Sequence, residues 1–157
     1  MKQIKLSGKY GRDKFALVDD EDFERIGKNK YRLNEKGYVV RTKTKNKIRA
    51  KYWLHREILG KKDGFVIDHI NGDKLDNRKQ NLRHCTSAQN SINRNIYAKN
   101  KTGYRGVRKR RSKYVATIGY AGKYLYIGAF DTPIEAAKRY NHFALNLHGE
   151  FARLNNV

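Results

Sequence analysis

An aspartate followed directly by a histidine, Asp68-His69, with asparagines at Asn81 and Asn90, is the part of this sequence best equipped for chemistry. A carboxylate and an amide carbonyl are hard oxygen donors. Asp68 with Asn90 suits Mg2+ or Mn2+ and leaves coordination positions open for phosphate and water. His69 titrates near neutrality and can take a proton from an attacking water. Asn81 can hold that imidazole in one orientation through its amide. A divalent ion gripping a phosphate beside a general base is the equipment for phosphodiester hydrolysis. Asp and Asn near turns more often bond to nearby backbone, and that is the reading taken for Asp73, Asp76 and Asn77.

These residues need elements that bring them together. Phe65-Val66-Ile67 is an apolar run that predicts a short buried strand ending at Asp68-His69. Asn71-Gly72 is a tight-turn signal and Asp76-Asn77 a second bend, so the chain doubles back and Leu82–Cys85 forms the returning strand. Thr86 with Gln89 three residues on is a capping box, which predicts a short helix from Ser87 to about Arg94 carrying Asn90. The expected unit is strand, loop, strand, helix.

The stretch resembles the HNH nuclease family, in the branch that includes phage and intron homing endonucleases. The matching pieces are HREILG from His55, VIDHINGD from Val66, LDNR from Leu75, NLR from Asn81 and the pair Gln89-Asn90. The resemblance implies Asp68 and Asn90 as ligands of one divalent metal, Mg2+ or Mn2+, and His69 as general base oriented by Asn81. Asn90 stands where many relatives have a second histidine, and is read as a variant. It also implies duplex DNA as substrate, with 5′-phosphate and 3′-hydroxyl products. His55 is taken as a packing or hydrogen-bonding residue, not a ligand.

Composition narrows the partner. The 157 residues hold 36 Lys and Arg against 15 Asp and Glu, a net charge of +21, which favours a polyanion. There is no long apolar stretch and no cleavable signal, so neither a membrane partner nor export is expected. The single cysteine, Cys85, excludes an internal disulfide and a Cys-rich structural zinc site. It reads as a small buried side chain in the returning strand.

Upstream, short strands at Ile4 to Leu6 and Phe15 to Val18 lead to a helix whose first turn is acidic, with Glu21, Asp22 and Glu24. Two alternating strands follow. Arg41, Lys43 and Lys45 share one face of the first, and Lys47, Arg49 and Lys51 one face of the second. A hairpin around residues 44–46 is expected to gather these cations on a single DNA-facing surface.

Downstream, residues 77–130 contain no acid but thirteen Lys or Arg, Arg94 among them. Residues 96–102 read as a basic linker that tracks the phosphate backbone. Three short strands and a helix follow. Thr132, Pro133 and Glu135 supply an N-cap, a first-turn proline and a capping-box acid, and Gly149 ends the helix. This module resembles the plant Apetala-type (ethylene-response-factor) DNA-binding domain, through YRGVR from Tyr104, KYVATI from Lys113, YIGAFDT from Tyr126, Glu135 to Ala137 and the closing ARLN from Ala152. The resemblance implies Arg105, Arg108, Arg110, Tyr114 and Tyr126 as groove-reading residues. A twisted sheet fits the major groove and arginine can bond guanine in bidentate fashion. Tyrosine replaces the family's tryptophan at Tyr114 and Tyr126, Thr117 an acid and Gly119 a reading arginine, so the plant target sequence is not carried over.

The expectation is an α+β chain with a small N-terminal antiparallel sheet (residues 1–52). A central ββα-metal nuclease unit (53–95) follows, then the linker, then a three-stranded sheet on one helix (103–157). The expected activity is site-directed nicking of double-stranded DNA by a monomer with no protein partner, in the cytoplasm of a bacterial host. The competing readings are a non-catalytic DNA-binding regulator and an RNA- or ribosome-associated protein.

Overall fold

A computed structural model describes residues 1–93 and 100–157, which form two compact units, Met1–Ser87 and Ala88–Val157. The first is built on a five-stranded sheet in the order β2-β1-β3-β4-β5: β1 Lys2–Ser7, β2 Phe15–Val18, β3 Tyr31–Leu33, β4 Val39–Lys45 and β5 Ile48–Trp53. The sheet is mixed, not antiparallel as its sequence led us to expect. Helix α1, Asp20–Ile26, carries the chain from β2 across to the far edge of β1, where β3 pairs in parallel through Leu6 and Tyr31. A crossover of this kind is what parallel neighbours require.

The first helix and the strand pair of the expected nuclease unit belong to the same body. Helix α2, Leu54–Leu59, ends at Gly60 in a positive-φ conformation. It is followed by the antiparallel pair β6 Val66–His69 and β7 Leu82–Cys85. One core joins Ile4, Leu6, Ala16, Val18 and Tyr31 of the large sheet to Leu54 and Ile58 of α2 and Leu82 of β7, with Ile67 and Leu75 packed against it. Each fully buried aliphatic side chain there is worth roughly 1.5–3 kcal/mol. A boundary between residues 52 and 53 therefore cuts through a core. The large sheet also reaches the loop between β6 and β7 directly: Leu17 N–H donates to Leu75 C=O at 2.8 Å, and Asn77 N–H to Leu17 C=O at 2.9 Å.

The β4–β5 register corrects the expected cationic face. Cross-strand partners share a face, and Lys43 stands opposite Ala50 and Lys45 opposite Ile48, while Thr42 faces Lys51 and Thr44 faces Arg49. The turn lies at Asn46-Lys47, both with positive φ, one residue later than expected. The two cationic rows therefore point to opposite sides of the hairpin.

In the second unit, helix α3, Ser87–Ile92, opens the segment, and β8 Val107–Arg110, β9 Lys113–Tyr120 and β10 Lys123–Phe130 form an antiparallel sheet in the order β10-β9-β8. Helix α4, Pro133–His148, packs on it through Ala136, Ala137, Tyr140 and Ala144. The expected capping box is present: Glu135 N–H donates to Thr132 Oγ1, and Thr132 N–H to the Glu135 carboxylate, each at 3.2 Å. Gly106 is required where it stands. A Cβ there would lie 2.2 Å from the Tyr140 ring, and its φ is +70°.

Candidate active site

Strand pairing places Asp68 opposite Arg83 and His69 opposite Leu82. Neighbouring residues on a strand point to opposite sides, so the Asp68 and His69 side chains serve different surroundings. Asp68 Oδ2 accepts from Arg83 Nε at 3.1 Å and from its terminal nitrogen at 2.9 Å, with both side chains largely buried. Arg83 closes the NLR piece of the family match, and no role at the site was read for it from sequence.

His69 is 4% exposed, and its Nε2 lies 3.4 Å from Asn77 Oδ1. Asn77 Nδ2 donates to the Lys74 carbonyl at 3.1 Å, which turns Oδ1 toward the ring as acceptor. An acceptor at that position favours the tautomer with its proton on Nε2, which leaves Nδ1 as the basic nitrogen. The hydrogen bond assigned from sequence to Asn81 is thus made by Asn77. Asn81 instead ties the loop to itself: its Oδ1 accepts from Asn71 N–H at 2.9 Å, and its Nδ2 donates to the Asp76 carbonyl at 2.7 Å. Asn77 had been read as an ordinary turn residue. Its fixed backbone, bonded to Leu17 of β2, is what allows its side chain to hold the histidine.

The rest of the loop is braced in the same fashion. Asp76 forms a two-pronged ion pair with Arg78, at 2.8 and 2.7 Å, which holds its carboxyl below the usual carboxylate range. Lys79 bonds through its N–H to Asp19 and through its ammonium to Glu21, so the acidic start of α1 is spent on the loop.

Behind His69 is an aromatic box. His55 meets the His69 ring edge-on at 5.4 Å, Tyr38 lies 5.6 Å from His55, and Trp53 lies 5.5 Å from Tyr38. Burial is the first cause lowering the pKa of His69. The Asn77 hydrogen bond and the charges of Asp68 and Asp73 oppose it, and Lys74 adds to it. A neutral imidazole at pH 7 is the form a base requires.

His55 is 6% exposed, with Nδ1 lacking a hydrogen-bond partner among the described residues. Burial, then the charges of His69 and Arg56, pushes its pKa down to about 3. The unfolded chain, with an ordinary histidine pKa, takes up the proton first as pH falls. Stability is therefore complete above about pH 6.5 and is lost on the way down to about 3, His55 alone costing about 3 kcal/mol by pH 4.5. Thermal melts at pH 7 and 4.5 should show a large drop for the natural protein and a smaller one for His55→Phe. Equal drops would remove His55 as the cause.

Comparison with known proteins adds the decisive observation. The HNH endonuclease family matches residues 52–92, which hold α2, β6, the braced loop, β7 and α3. An uncharacterised HNH endonuclease of Acanthamoeba polyphaga mimivirus is 32% identical over 149 residues, covering 94% of this chain and 78% of that protein. The chain belongs to the HNH endonuclease family. Protein 3.8 of Escherichia phage T7 is also similar, 32% identical over 92 residues that span 57% of this chain and 75% of that protein.

HNH nucleases generally work with a divalent metal, and the donors here suit a hard ion of that kind. Asp68 is a carboxylate next to His69 in the chain, and no group of three His, Cys, Asp or Glu gathers among the described residues. An ion held by Asp68 would share that carboxylate with Arg83. Asn90, the second ligand read from sequence, lies half-buried on α3 in the second unit.

The residues read as DNA-facing divide into two groups. Arg41 is engaged: its guanidinium grips both oxygens of Glu57 and stacks at 4.4 Å on Tyr52. Lys51 lies 4.5 Å over Trp53. Arg105 is half-buried near Tyr140, with its backbone clamped by Asn155, and Tyr114 packs on the helix side against the Ala136-Ala137 cluster. Lys43, Arg49, Arg108, Arg110 and Tyr126 are exposed, and register puts Arg108, Arg110 and Tyr126 on the sheet face away from α4, together with the fully open Tyr124. Arg94 lies outside the described residues. No described helix is long and apolar enough to cross a membrane.

Proposed function

We propose that this HNH protein is a site-directed, homing-type endonuclease that nicks double-stranded DNA. The observation that carries the reading is the buried His69, with Nε2 turned to Asn77 and the carboxylate of Asp68 next to it in the chain. Nδ1 of His69 takes the proton from a water that attacks phosphorus in line, and the 3′ oxygen leaves. Asp68, with Asn90 as the second ligand named from sequence, would hold one Mg2+ or Mn2+, which when bound steadies charge on the phosphate and on the leaving oxygen. Asn77 and the aromatic box keep the imidazole in one tautomer and uncharged. The exposed face of β8–β10, with Arg108, Arg110, Tyr124 and Tyr126, is proposed to grip the duplex, in line with the resemblance of this unit to the Apetala-type domain.

The test is supercoiled plasmid incubated with Mg2+ or Mn2+. One catalytic unit per chain predicts relaxed circles without linear product at low enzyme, and no product in EDTA. Activity that survives EDTA would remove the metal from this scheme. Tight duplex binding without nicking under any divalent ion would return the reading of a non-catalytic regulator.

A further inference from the structure

Beyond Val40, strand β4 loses its neighbour β3, whose pairing covers only Val39 and Val40. The β4–β5 hairpin continues as a two-stranded ribbon, and every residue from 43 to 49 is exposed. At its root the Arg41 charge is paired with Glu57, and Lys51 lies over the Trp53 ring. In its outer part Lys43 and Lys45 project from one face and Arg49 from the other, with Lys47 in the turn, and no acid occurs between Glu35 and Glu57. Beside the turn stands Ile48, 74% exposed.

Ile48 is the one apolar side chain among the exposed residues 43–49. Duplex DNA has a use for each part of this arm. The major groove is about 12 Å wide and 8.5 Å deep and admits a two-stranded ribbon, and it is the groove that displays the thymine methyl. Five residues of strand beyond the sheet reach about 17 Å, enough to place the turn at the groove floor. Cations on both faces then meet the phosphates of both walls. The apolar group that the floor offers is the thymine methyl.

Resting on the reading of duplex DNA as the partner, we infer that the β4–β5 ribbon enters the major groove and that Ile48 reads thymine through its methyl group. The arm is thus a second sequence-reading element, remote in sequence from the C-terminal sheet.

The experiment uses the full chain in EDTA, so that binding is read without cleavage. Footprints are taken on one long duplex prepared with thymine and again with uracil, which lacks only the methyl. The natural protein should lose about fourfold in occupancy at a preferred site for each methyl removed under the arm. Ile48→Ser should bind the thymine duplex more weakly and treat the two duplexes alike. Replacing Lys43, Lys45 and Arg49 together by alanine should flatten the slope of log affinity against log salt by about 2 to 3, since each phosphate contact contributes about 0.9. All of these residues are exposed, and an unchanged melting temperature confirms that the core is intact. Equal thymine and uracil footprints for the natural protein, or an unchanged salt slope in the triple variant, overturn the inference. A chain that shows both effects yet never nicks keeps this inference and loses the nuclease reading.

Discussion

His69→Ala is expected to lower single-turnover nicking by about 10²- to 10⁴-fold while leaving duplex affinity nearly unchanged. The ring is almost wholly buried, so it contributes little surface to the phosphate grip. What it supplies is a neutral nitrogen at a fixed place. The Nε2 proton is held by Asn77, burial keeps the ring uncharged, and the His55 and Tyr38 rings stop it from swinging. Removal of the ring leaves the attacking water without an acceptor for its proton. Asn77→Ala keeps the base but releases its tautomer, and should cost less, about 10- to 100-fold, with the same affinity. Cleavage rates at saturating metal, paired with fluorescence-anisotropy titrations, separate these outcomes. Turnover by His69→Ala equal to that of the natural protein sinks the assignment of the base.

Asp68→Ala should have the second large effect, and it should have two parts. Cleavage should fall below detection, because the carboxylate nearest the base is gone. Stability should also fall by about 3–5 kcal/mol, since Arg83, 12% exposed at its side chain, loses its acidic partner across the strand pair. The second part matters for reading the first. An inactive Asp68→Ala protein that is also partly unfolded says little about metal binding. Asp68→Asn keeps an oxygen for both Arg83 and an ion, so it should melt closer to the natural protein and regain part of its activity at raised Mn2+. Full activity of Asp68→Ala in a folded sample would remove Asp68 from the metal site.

Much of this was legible along the chain because it is written in short-range chemistry. The capping box at Thr132, the proline at its first turn and Gly149 at its end bound helix α4 from sequence alone. The apolar run before Asp68 and the turn residues after it likewise foretold β6 and β7. What was not legible depends on partners far apart in sequence. Whether Asn77 or Asn81 faces His69 is set by Leu17, sixty residues upstream of Asn77, whose backbone fixes where the loop bends. Arg41 looked like a wet-face cation because nothing local announces Glu57, which lies on the following helix. The two cationic rows of the hairpin were assigned to one surface because face assignment turns on a single residue of register. Tyr114 and Arg105 were read from a family pattern, while the packing of α4 turns Tyr114 to the helix side of the sheet and Asn155 clamps the Arg105 backbone just before β8.

The bridge between Leu17 and the Leu75–Asn77 stretch bears on how such genes can be shuffled. A segment cut at residues 53–95 carries every proposed catalytic group, yet it leaves behind the strand that pins the histidine's orienting amide and most of the apolar side chains that shelter it. Transplanted into another protein, that segment arrives with an untethered loop. Recombination that exchanges the proposed catalytic groups intact must move residues 1–87 together with Asn90 of α3, so a crossover that spares them lies beyond the end of that helix, and the C-terminal sheet is the part that can be traded without taking any of them.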